Sequence, residues 1–530
     1  MPIAILVARR ALSCSTLVAA LLLAILPAPS TAQTAMSFDQ RVKAIVVTPM
    51  PVRDLRQALA RLARDARSPE QEATVGAYSL MAELLTADDK IGLARAETFA
   101  IANPDSIAAQ LVLAQFALRA DQPQRSADLL INAAPKANVL IDAIADRTVA
   151  SLFAKLRQLH DLKRTSDLSR ALLEANWTRG SPILRSQLAV ELIRDELRHG
   201  HRDGALRRLP MVRDPARLYL MLADRDYAAI KPEIERYAGP RLELRWRDYL
   251  GEAQRRWART DDPEDGSDYA DALRDAGLDR VLVDQFQARF ARGYNCPNDP
   301  SARMFGAYLV TSLANLGQIN RAEKVLFHLG GNDGSVDGSR LSTLLLSKGR
   351  FADAARVLQG MLTALGKSAK PTSDYELHLL RARLACATYR QGKPVDPPDL
   401  DALVLPVRLW TLHCLDRAAS AKATLLAAVA DPLERSDAIA WVQPDAALAA
   451  PSAFETAMLA LDLTLKADPA VNSAIADYGS IHGFAPNAAL QRAGQWAAVK
   501  GQRPSPCGNN IVIPNGREAA AGASDLPKPA

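Results

Sequence analysis

The chain has 530 residues, which is too long for one compact hydrophobic core, so several domains or a stack of repeated units are expected. Hydrophobic residues make up 48% of the chain and aromatic residues 5%, and alternating β-branched patterns are rare, which favours an all-α fold. The net charge of +6 is mild and both signs are interspersed, so the concentrated basic face typical of nucleic-acid-binding proteins is absent from the sequence.

The N-terminus has the layout of a secretory signal peptide, predicted over residues 1–32. Arg9 and Arg10 precede an apolar run, and Ser30 and Ala32 supply small residues at the positions that a signal peptidase requires. The run of about 16 apolar residues is shorter than the roughly 20 needed to span a bilayer. We therefore expect cleavage after Ala32, a periplasmic or secreted location, and membrane contact only through the signal peptide.

Residues 33–240 form the first predicted block, in which apolar residues recur at helical spacing between breaks. Leu55, Leu59 and Leu62 fall on one helical stripe. Further helices are predicted in pairs, at 76–85 and 91–102, 107–120 and 126–134, 140–159 and 166–176, 184–199 and 204–212, and within 218–238. The block is expected to be a series of helical hairpins.

A Gly-Pro pair at 239–240 marks a boundary, and residues 241–300 are predicted to be connecting helices. The first of these helices is strongly amphipathic. Its apolar face carries Trp246, Tyr249 and Trp257, which we interpret as core residues and not as a platform for stacking sugars.

Four arginines lie largely off that apolar face: Arg245, Arg255, Arg256 and Arg259. They are candidates for binding an anionic glycan, a lipid head group or an acidic peptide. The alternative, which we favour, is a solvated surface held by salt bridges. The acidic segment 261–268 is predicted to be a solvated loop between this helix and the next.

The clearest repeats lie in the next block, residues 301–370. Residues 313–326 read LANLGQINRAEKVL, and residues 345–358 read LLSKGRFADAARVL. Each segment has a Gly, a large apolar residue two positions later, Ala five positions later and Leu nine positions later. Glycine permits the positive φ of a tight turn, and the small Ala lets the second helix pack close to the first.

This spacing resembles that of the tetratricopeptide repeat family, whose unit is a helix–turn–helix of about 34 residues. The resemblance is clearest over residues 302–365. In two earlier units Ala94 and Ala127, 33 residues apart, are expected to hold the small position. The resemblance implies an irregular α-helical solenoid, in which each hairpin stacks on its neighbours and the concave face binds a protein segment.

Four cysteines remain after the predicted cleavage, and they allow two disulfides in an oxidising compartment. Cys386 and Cys414 are equidistant from a proline-rich turn. Residues equidistant from the turn of an antiparallel hairpin lie side by side, so a 386–414 disulfide is predicted. The alternative is two buried free thiols. By elimination, Cys296 and Cys507 are left as a second, weaker pair.

Two further segments complete the chain. Residues 371–503 are predicted to be a C-terminal helical block. Residues 504–530 are rich in Pro, Gly, Asn and Ala, and are predicted to be a disordered tail.

We predict no metal and no cofactor. The loop 333–338 matches the first half of a calcium-binding loop, but Leu344 occupies the position of the required bidentate acid. His199 and His201 flank Gly200 at a helix end, where a capping role is favoured over metal binding.

No catalytic motif is present: a nucleophile elbow, paired catalytic carboxylates, a zincin helix and a phosphate-binding loop are all missing. We therefore expect a protein that is not an enzyme, acting as a scaffold or adaptor for a protein or peptide in the cell envelope, with no nucleic-acid partner. The alternative is a peptidoglycan-binding or peptidoglycan-degrading protein that resembles the superhelical part of soluble lytic transglycosylases. After residue 370, however, no Glu is followed directly by the Ser of their catalytic motif.

Overall fold

The structure is a computed structural model that describes residues 36–48, 52–84, 88–239, 242–260, 263–293, 300–329, 338–367, 374–396, 398–444 and 451–482. Within these ranges the chain is helical and has no strand, so the all-α prediction is confirmed. Outside them lie the predicted signal peptide, the predicted tail, residues 333–337 of the possible calcium loop, Cys296 and Cys507. No helix in the described ranges is both long enough and apolar enough to cross a bilayer.

The described helices are grouped here into three blocks by position in the chain. Helices α1 to α12 form the N-terminal block: Phe38–Val47, Val52–Ala63, Pro69–Leu84, Asp89–Ala102, Ile107–Arg119, Pro123–Ala133, Asp146–Gln158, Leu162–Glu174, Pro182–Arg198, Arg202–Arg208, Pro215–Ala223 and Lys231–Ala238. Helices α13 to α19 form the middle block: Leu242–Thr260, Pro263–Asp275, Asp279–Gly293, Pro300–Asn315, Ile319–Leu329, Gly338–Ser347 and Phe351–Lys367. Helices α20 to α25 form the C-terminal block: Asp374–Tyr389, Leu405–Cys414, Ala418–Ala430, Arg435–Val442, Ala453–Lys466 and Pro469–Tyr478.

Helices that follow one another in the sequence pack against one another, as α5 does on α6, α13 on α14, α16 on α17 and α18 on α19. The predicted stripe of Leu55, Leu59 and Leu62 is buried in the hydrophobic core of the N-terminal block. Burial of one apolar stripe per helix supplies the main favourable free energy of such hairpins.

The two segments with the clearest repeat pattern form the predicted hairpins. Gly317 has φ +71° and Gly349 has φ +70°, so both end a helix in the left-handed conformation that favours glycine. Ala322 and Ala354, five residues after each glycine, are fully buried. The spacing therefore identified both the turns and the close contacts between helices.

The aromatic residues of α13 lie in the core of the middle block. Trp246 and Tyr249 are buried, and the Trp257 ring stacks on Phe286 with ring centroids 4.9 Å apart. Trp257 also stacks on Phe305 at 5.6 Å. The interpretation of these residues as core is confirmed.

Two local predictions in the N-terminal block are wrong. Residues 140–159 are not one helix: a 3₁₀ helix, Asn138–Ala143, ends at the extended residue Ile144, and α7 starts at Asp146. The cause is tertiary, because the buried Asp142 carboxylate accepts hydrogen bonds from the Thr178 and Arg179 backbone N–H groups at 2.7 and 3.2 Å.

Ala94 does not hold the small position expected of it. Ala127 is buried, but Ala94 is exposed. The close approach between α4 and α5 occurs at Gly92, where an added Cβ would lie 2.8 Å from the Phe116 ring. A glycine on one face of α4 therefore replaces the alanine that the repeat pattern indicated.

The acidic segment is also not a loop, because α14 begins at Pro263. Proline is favoured in the first turn of a helix, and carboxylates near a helix N-terminus are stabilised by the helix dipole. Asp265 forms an ion pair with Arg256 of α13 at 3.1 Å, and the Asp268 carboxyl lies 3.5 Å from the same guanidinium. These contacts stabilise the α13–α14 hairpin from its polar side.

The C-terminal block packs against the N-terminal block. Ala223, at the end of α11, belongs to the hydrophobic core of the C-terminal block, and its carbonyl accepts a hydrogen bond from the Ser480 N–H at 2.8 Å. Helix α23 packs on α11. The expectation that each hairpin contacts only its neighbours in sequence therefore does not hold at this end of the chain.

Candidate functional site

A cavity of about 520 Å³ lies where the N-terminal and C-terminal blocks meet; we call it the cross-block cleft. One wall comes from α7, the following turn and α9, and the other from α20, the segment 401–405 and the start of α23. Its lining residues are Ala150, Phe153, Ala154, Arg157, Gln158, His160, Gln187, Tyr375, Asp401, Ala402, Leu403, Val404, Leu405, Leu433, Glu434 and Asp437. Concave sites of this size commonly bind small molecules or peptide segments.

Helix α7 presents one face to the cleft and the opposite face to the core. Ala150, Ala154 and Arg157 are spaced by four and three residues, which places them on one face of a helix. The remaining face is anchored, because Leu152 and Leu156 are completely buried. The side chains of Ala150 and Ala154 on the cleft face are short, so they leave room there for a ligand.

Ion pairs join or stiffen the two walls. Arg157 donates to Asp437 across the cleft at 3.1 Å, and Arg408 donates to Glu434 within the C-terminal block. Both pairs are partly exposed, so each contributes at most about 1 kcal/mol to stability. Their main effect is to present charges of both signs at fixed positions along the cleft.

A second, smaller cavity of about 50 Å³ lies next to the cleft; we call it the inner chamber. Arg157, Gln187 and Asp437 line both cavities. The inner chamber lies between α9, α11 and α23, and its other lining residues are Val190, Glu191, Arg194, Arg217, Leu220, Met221, Asp224, Tyr227, Ser436, Ile439 and Ala440.

Arg194 is the central charge of the inner chamber. Its guanidinium lies 3.2 Å from the Glu191 carboxylate and 3.9 Å from Asp224, and it donates to the Ser436 hydroxyl at 2.7 Å. Ser436 in turn donates to Asp224 at 2.9 Å. A buried charge is tolerated only where it is paired and hydrogen-bonded, so this network also holds α23 on the N-terminal block.

The protonation states follow from burial and from the neighbouring charges. Burial acts to lower the pKa of Arg194, but the neighbouring Tyr227, Glu191 and aspartates raise it overall, so Arg194 stays charged. Burial raises the pKa of Asp224, and the Arg194 charge and backbone hydrogen bonds oppose that rise. Burial also raises the pKa of Tyr227, so its hydroxyl stays protonated and can donate a hydrogen bond.

Further polar contacts close the junction beside the inner chamber. The Tyr219 hydroxyl donates to the Gln443 side-chain oxygen at 3.2 Å and also to the His482 carbonyl. Arg225 donates to the Asp477 carbonyl at 3.1 Å. These hydrogen bonds join the two blocks alongside the apolar contacts of Ala223.

A more open groove of about 660 Å³ lies at residues 389–395 and 415–417. Its Arg390 is already engaged, because it donates to the His413 carbonyl at 3.2 Å and to the Asp416 carboxylate at 3.0 Å. The cross-block cleft is the stronger candidate, because helices of two blocks enclose it and polar groups converge in it.

The four arginines predicted as an anion-binding face have different surroundings. The Arg245 guanidinium lies over the Tyr237 ring, 4.5 Å from its centroid, and Arg256 is paired with Asp265 of α14. Arg255 and Arg259 are exposed. Anion binding by these four residues stays a prediction.

Cys386 and Cys414 are adjacent, as the hairpin geometry predicted. Both residues are fully buried, their Cα atoms are 5.5 Å apart, and their sulfurs lie at disulfide-bonding distance. They join α20 to α21, and the segment between these helices contributes the 401–405 wall of the cleft.

The described residues contain no group of three or more His, Cys, Asp or Glu side chains arranged to hold a metal ion. His199 lies at the end of α9, where its Nδ1 atom is 2.9 Å from the Asp195 carbonyl oxygen. That contact is the one expected of a residue that caps a helix C-terminus.

No protein-family model matches this chain, and no curated protein sequence matches it at a significant level. The function is therefore inferred from the geometry of the cross-block cleft. The cleft could not be predicted from the sequence, because residues that meet in it, such as Arg157 and Asp437, are 280 residues apart and no local pattern links them.

Proposed function

We propose that this protein is an exported helical-repeat protein that binds a segment of a protein partner in the cell envelope, as an adaptor or scaffold, without catalytic activity of its own. The observation that carries the proposal is the cross-block cleft of about 520 Å³ between two blocks of helices. A cavity of this size with polar groups on both walls is suited to a short peptide segment.

The architecture we propose is an irregular tetratricopeptide-like solenoid whose C-terminal block closes on its N-terminal block. The glycine turns at Gly317 and Gly349, with buried alanines five residues later, support a repeat of the helical hairpin. In open solenoids the concave face binds extended or helical segments. In this chain α23 covers part of that face, and the cleft is the part that stays accessible.

Export is proposed from the signal-peptide layout of residues 1–32 and from the cysteines. A buried pair at disulfide-bonding distance, Cys386 and Cys414, suits an oxidising compartment. The prediction is checked by mass spectrometry of the mature protein, which should begin at Gln33. A mature chain that begins at Met1 would contradict it.

The lining of the cleft favours a protein segment over a glycan. Glycan sites use exposed aromatic rings as stacking platforms. Among the described residues, Phe153 and Tyr375 are the only Phe, Tyr or Trp side chains that line this cleft, and Phe153 is 1% exposed. Charged side chains of both signs, such as Arg157, Asp401 and Glu434, instead match the mixed charges of a peptide.

The test is site-specific photo-crosslinking from the cleft. A photoreactive residue replaces Gln158, which lines the cleft, and the matched control replaces Arg356, whose side chain is 75% exposed outside the cleft. We expect a discrete protein adduct from position 158 in cell-envelope extract, and none from position 356. The variant Ala154→Trp, which fills the cleft from an exposed position on α7, should abolish the adduct.

Three results would count against the proposal. One is an adduct that Ala154→Trp leaves unchanged, since the partner would then bind elsewhere. Another is the absence of any protein adduct while the purified protein sediments with peptidoglycan, which would favour a cell-wall binder. Release of soluble fragments from peptidoglycan would show that the protein is an enzyme.

A further inference from the structure

Two hydrogen-bond donors in the inner chamber have no acceptor among the described residues. They are the Tyr227 hydroxyl and the Arg194 Nε–H group; both atoms are buried, and the Asp226 carboxylate lies 3.9 Å from Nε, beyond hydrogen-bond distance. Tyr227 is 1% exposed, and the Arg194 guanidinium lies over its ring, 5.6 Å from the centroid. A buried donor without an acceptor costs roughly 1–3 kcal/mol, so the two donors are a strong reason for an acceptor to occupy the chamber.

The chamber has room for such an acceptor. Its volume of about 50 Å³ exceeds the roughly 15 Å³ of free space that a single water molecule requires. It adjoins the cleft, because Arg157, Gln187 and Asp437 line both cavities. The chamber and the inner end of the cleft therefore share a wall, which includes the Arg157–Asp437 ion pair.

The charges around the chamber select a neutral acceptor over an anion. Three cations line it, Arg157, Arg194 and Arg217, together with three carboxylates, Glu191, Asp224 and Asp437. Each cation has an acid partner within 4 Å: Arg157 pairs with Asp437, Arg194 with Glu191, and Arg217 with Asp214 at 3.8 Å. An entering carboxylate would add an uncompensated buried charge, and the cost of burying such a charge exceeds what one or two hydrogen bonds return.

We infer that the inner chamber is a subsite for the amide carbonyl of a peptide, which accepts hydrogen bonds from the Tyr227 hydroxyl and the Arg194 Nε–H group while the rest of the peptide lies in the cross-block cleft. This inference rests on the proposed function, and it assigns the chemistry recognised at the inner end of the cleft. An amide carbonyl is neutral, is a strong acceptor and occurs at every residue of a peptide.

The experiment is a titration of the full-length protein followed at Tyr227. The protein is labelled with carbon-13 at tyrosine Cζ, and the Tyr227 signal, one of eleven, is assigned from the Tyr227→Phe variant. The probes are N-acetylglycinamide for a peptide amide, sodium acetate for a carboxylate, and N-acetylglucosamine for an acetylated sugar. We expect N-acetylglycinamide to shift the Tyr227 signal, and to bind Tyr227→Phe about fivefold more weakly, as loss of one neutral hydrogen bond implies.

The matched control is Tyr237→Phe. The Tyr237 hydroxyl donates to the Pro210 carbonyl at 3.2 Å, and Tyr237 does not line either cavity. Its removal should leave the affinity for N-acetylglycinamide unchanged. Tyr227→Phe should fold normally, because it keeps the buried ring and removes a hydroxyl that has no partner within the described chain.

The remaining outcomes each overturn the inference. Equal affinity of Tyr227→Phe and the parent protein would show that the hydroxyl contacts no ligand. Tighter binding of acetate would refute the charge argument, and a response to N-acetylglucosamine alone would indicate a glycan subsite. No shift with any probe would mean that the chamber holds only water. If the Tyr227 result fails while Ala154→Trp still abolishes the photo-crosslinked adduct, the proposed function stands and only this subsite is refuted.

Discussion

The buried network around Arg194 gives the sharpest test of how the blocks are joined. Replacing Arg194 by methionine keeps much of the side-chain volume but removes the charge that faces Glu191, Asp224 and Asp226, at 3.2, 3.9 and 3.9 Å. The Asp224 side chain is only 4% exposed, so water cannot replace the lost partner. Removal of one partner from a buried ion pair typically costs about 3–5 kcal/mol, and we expect Arg194→Met to lower the free energy of unfolding by about that amount.

The matched control is Arg198→Met, one helical turn further along α9. Arg198 pairs with Asp226 at 3.5 Å, but its side chain is 37% exposed, so this substitution should cost less than about 1 kcal/mol. Combining Arg194→Met with Asp224→Asn removes one of the uncompensated charges, and should recover part of the loss, about 1–2 kcal/mol, since groups in contact couple by this amount.

The assay is urea unfolding followed by far-ultraviolet circular dichroism, with hydrogen exchange of α9 and α23 to locate the change. We expect Arg194→Met to increase exchange in both helices, because the same guanidinium donates to Ser436. If Arg194→Met proves no more destabilising than Arg198→Met, the inner chamber is solvated and the reasoning about its buried charges is refuted.

Three further predictions concern other parts of the chain. Burial raises the pKa of Asp268 to about 8, so the folded protein binds a proton that the unfolded chain releases above pH 4, and stability should fall as pH rises from about 4 to 8. Asp268→Asn should reduce that slope in thermal melts and leave the part due to Asp275, whose pKa burial raises to about 7; an unchanged slope would contradict the prediction. A digest without reducing agent should recover the two peptides linked by the Cys386–Cys414 disulfide. Reducing this disulfide, or replacing both cysteines by serine, should lower the free energy of unfolding by about 2–4 kcal/mol. Gly349→Ala should destabilise the folded protein by about 1–2 kcal/mol, because the φ of Gly349 is +70°. The control Gly360→Ala lies within α19 and has open space around it, so it should stabilise the protein by roughly 0.5–1 kcal/mol. Similar effects at both sites would refute the role of the turn.

Local patterns predicted the elements whose cause is local. The turns at Gly317 and Gly349 need a residue that tolerates positive φ, and the alanines after them need to be small, so both are visible as spacing in the sequence. The amphipathic character of α13 likewise identified Trp246 as a core residue. The side-by-side placement of α20 and α21 followed from the symmetry of a hairpin about its turn.

One error arose where a distant part of the chain decides the local structure. The predicted helix 140–159 is interrupted because the Asp142 carboxylate accepts hydrogen bonds from the backbone N–H groups of Thr178 and Arg179. No residue near position 142 indicates that contact. The cross-block cleft could not be predicted for the same reason. In the sequence Arg157 is one more cation near a helix end, and only the fold places Asp437, 280 residues later, beside it.

The hydrogen bond from the Ser480 N–H group to the Ala223 carbonyl joins the C-terminal block to the N-terminal block, and it also bears on the order of folding. Hairpins of neighbouring helices can form early, because the segments that join them are short. Arg194 has its acid partners within the N-terminal block, but Arg194 and Asp224 gain their contacts with Ser436 only when α23 docks. Until then Arg194 and Asp224 remain open to water, so a chain truncated before α23 would present a hydrated polar surface where the complete protein has a junction.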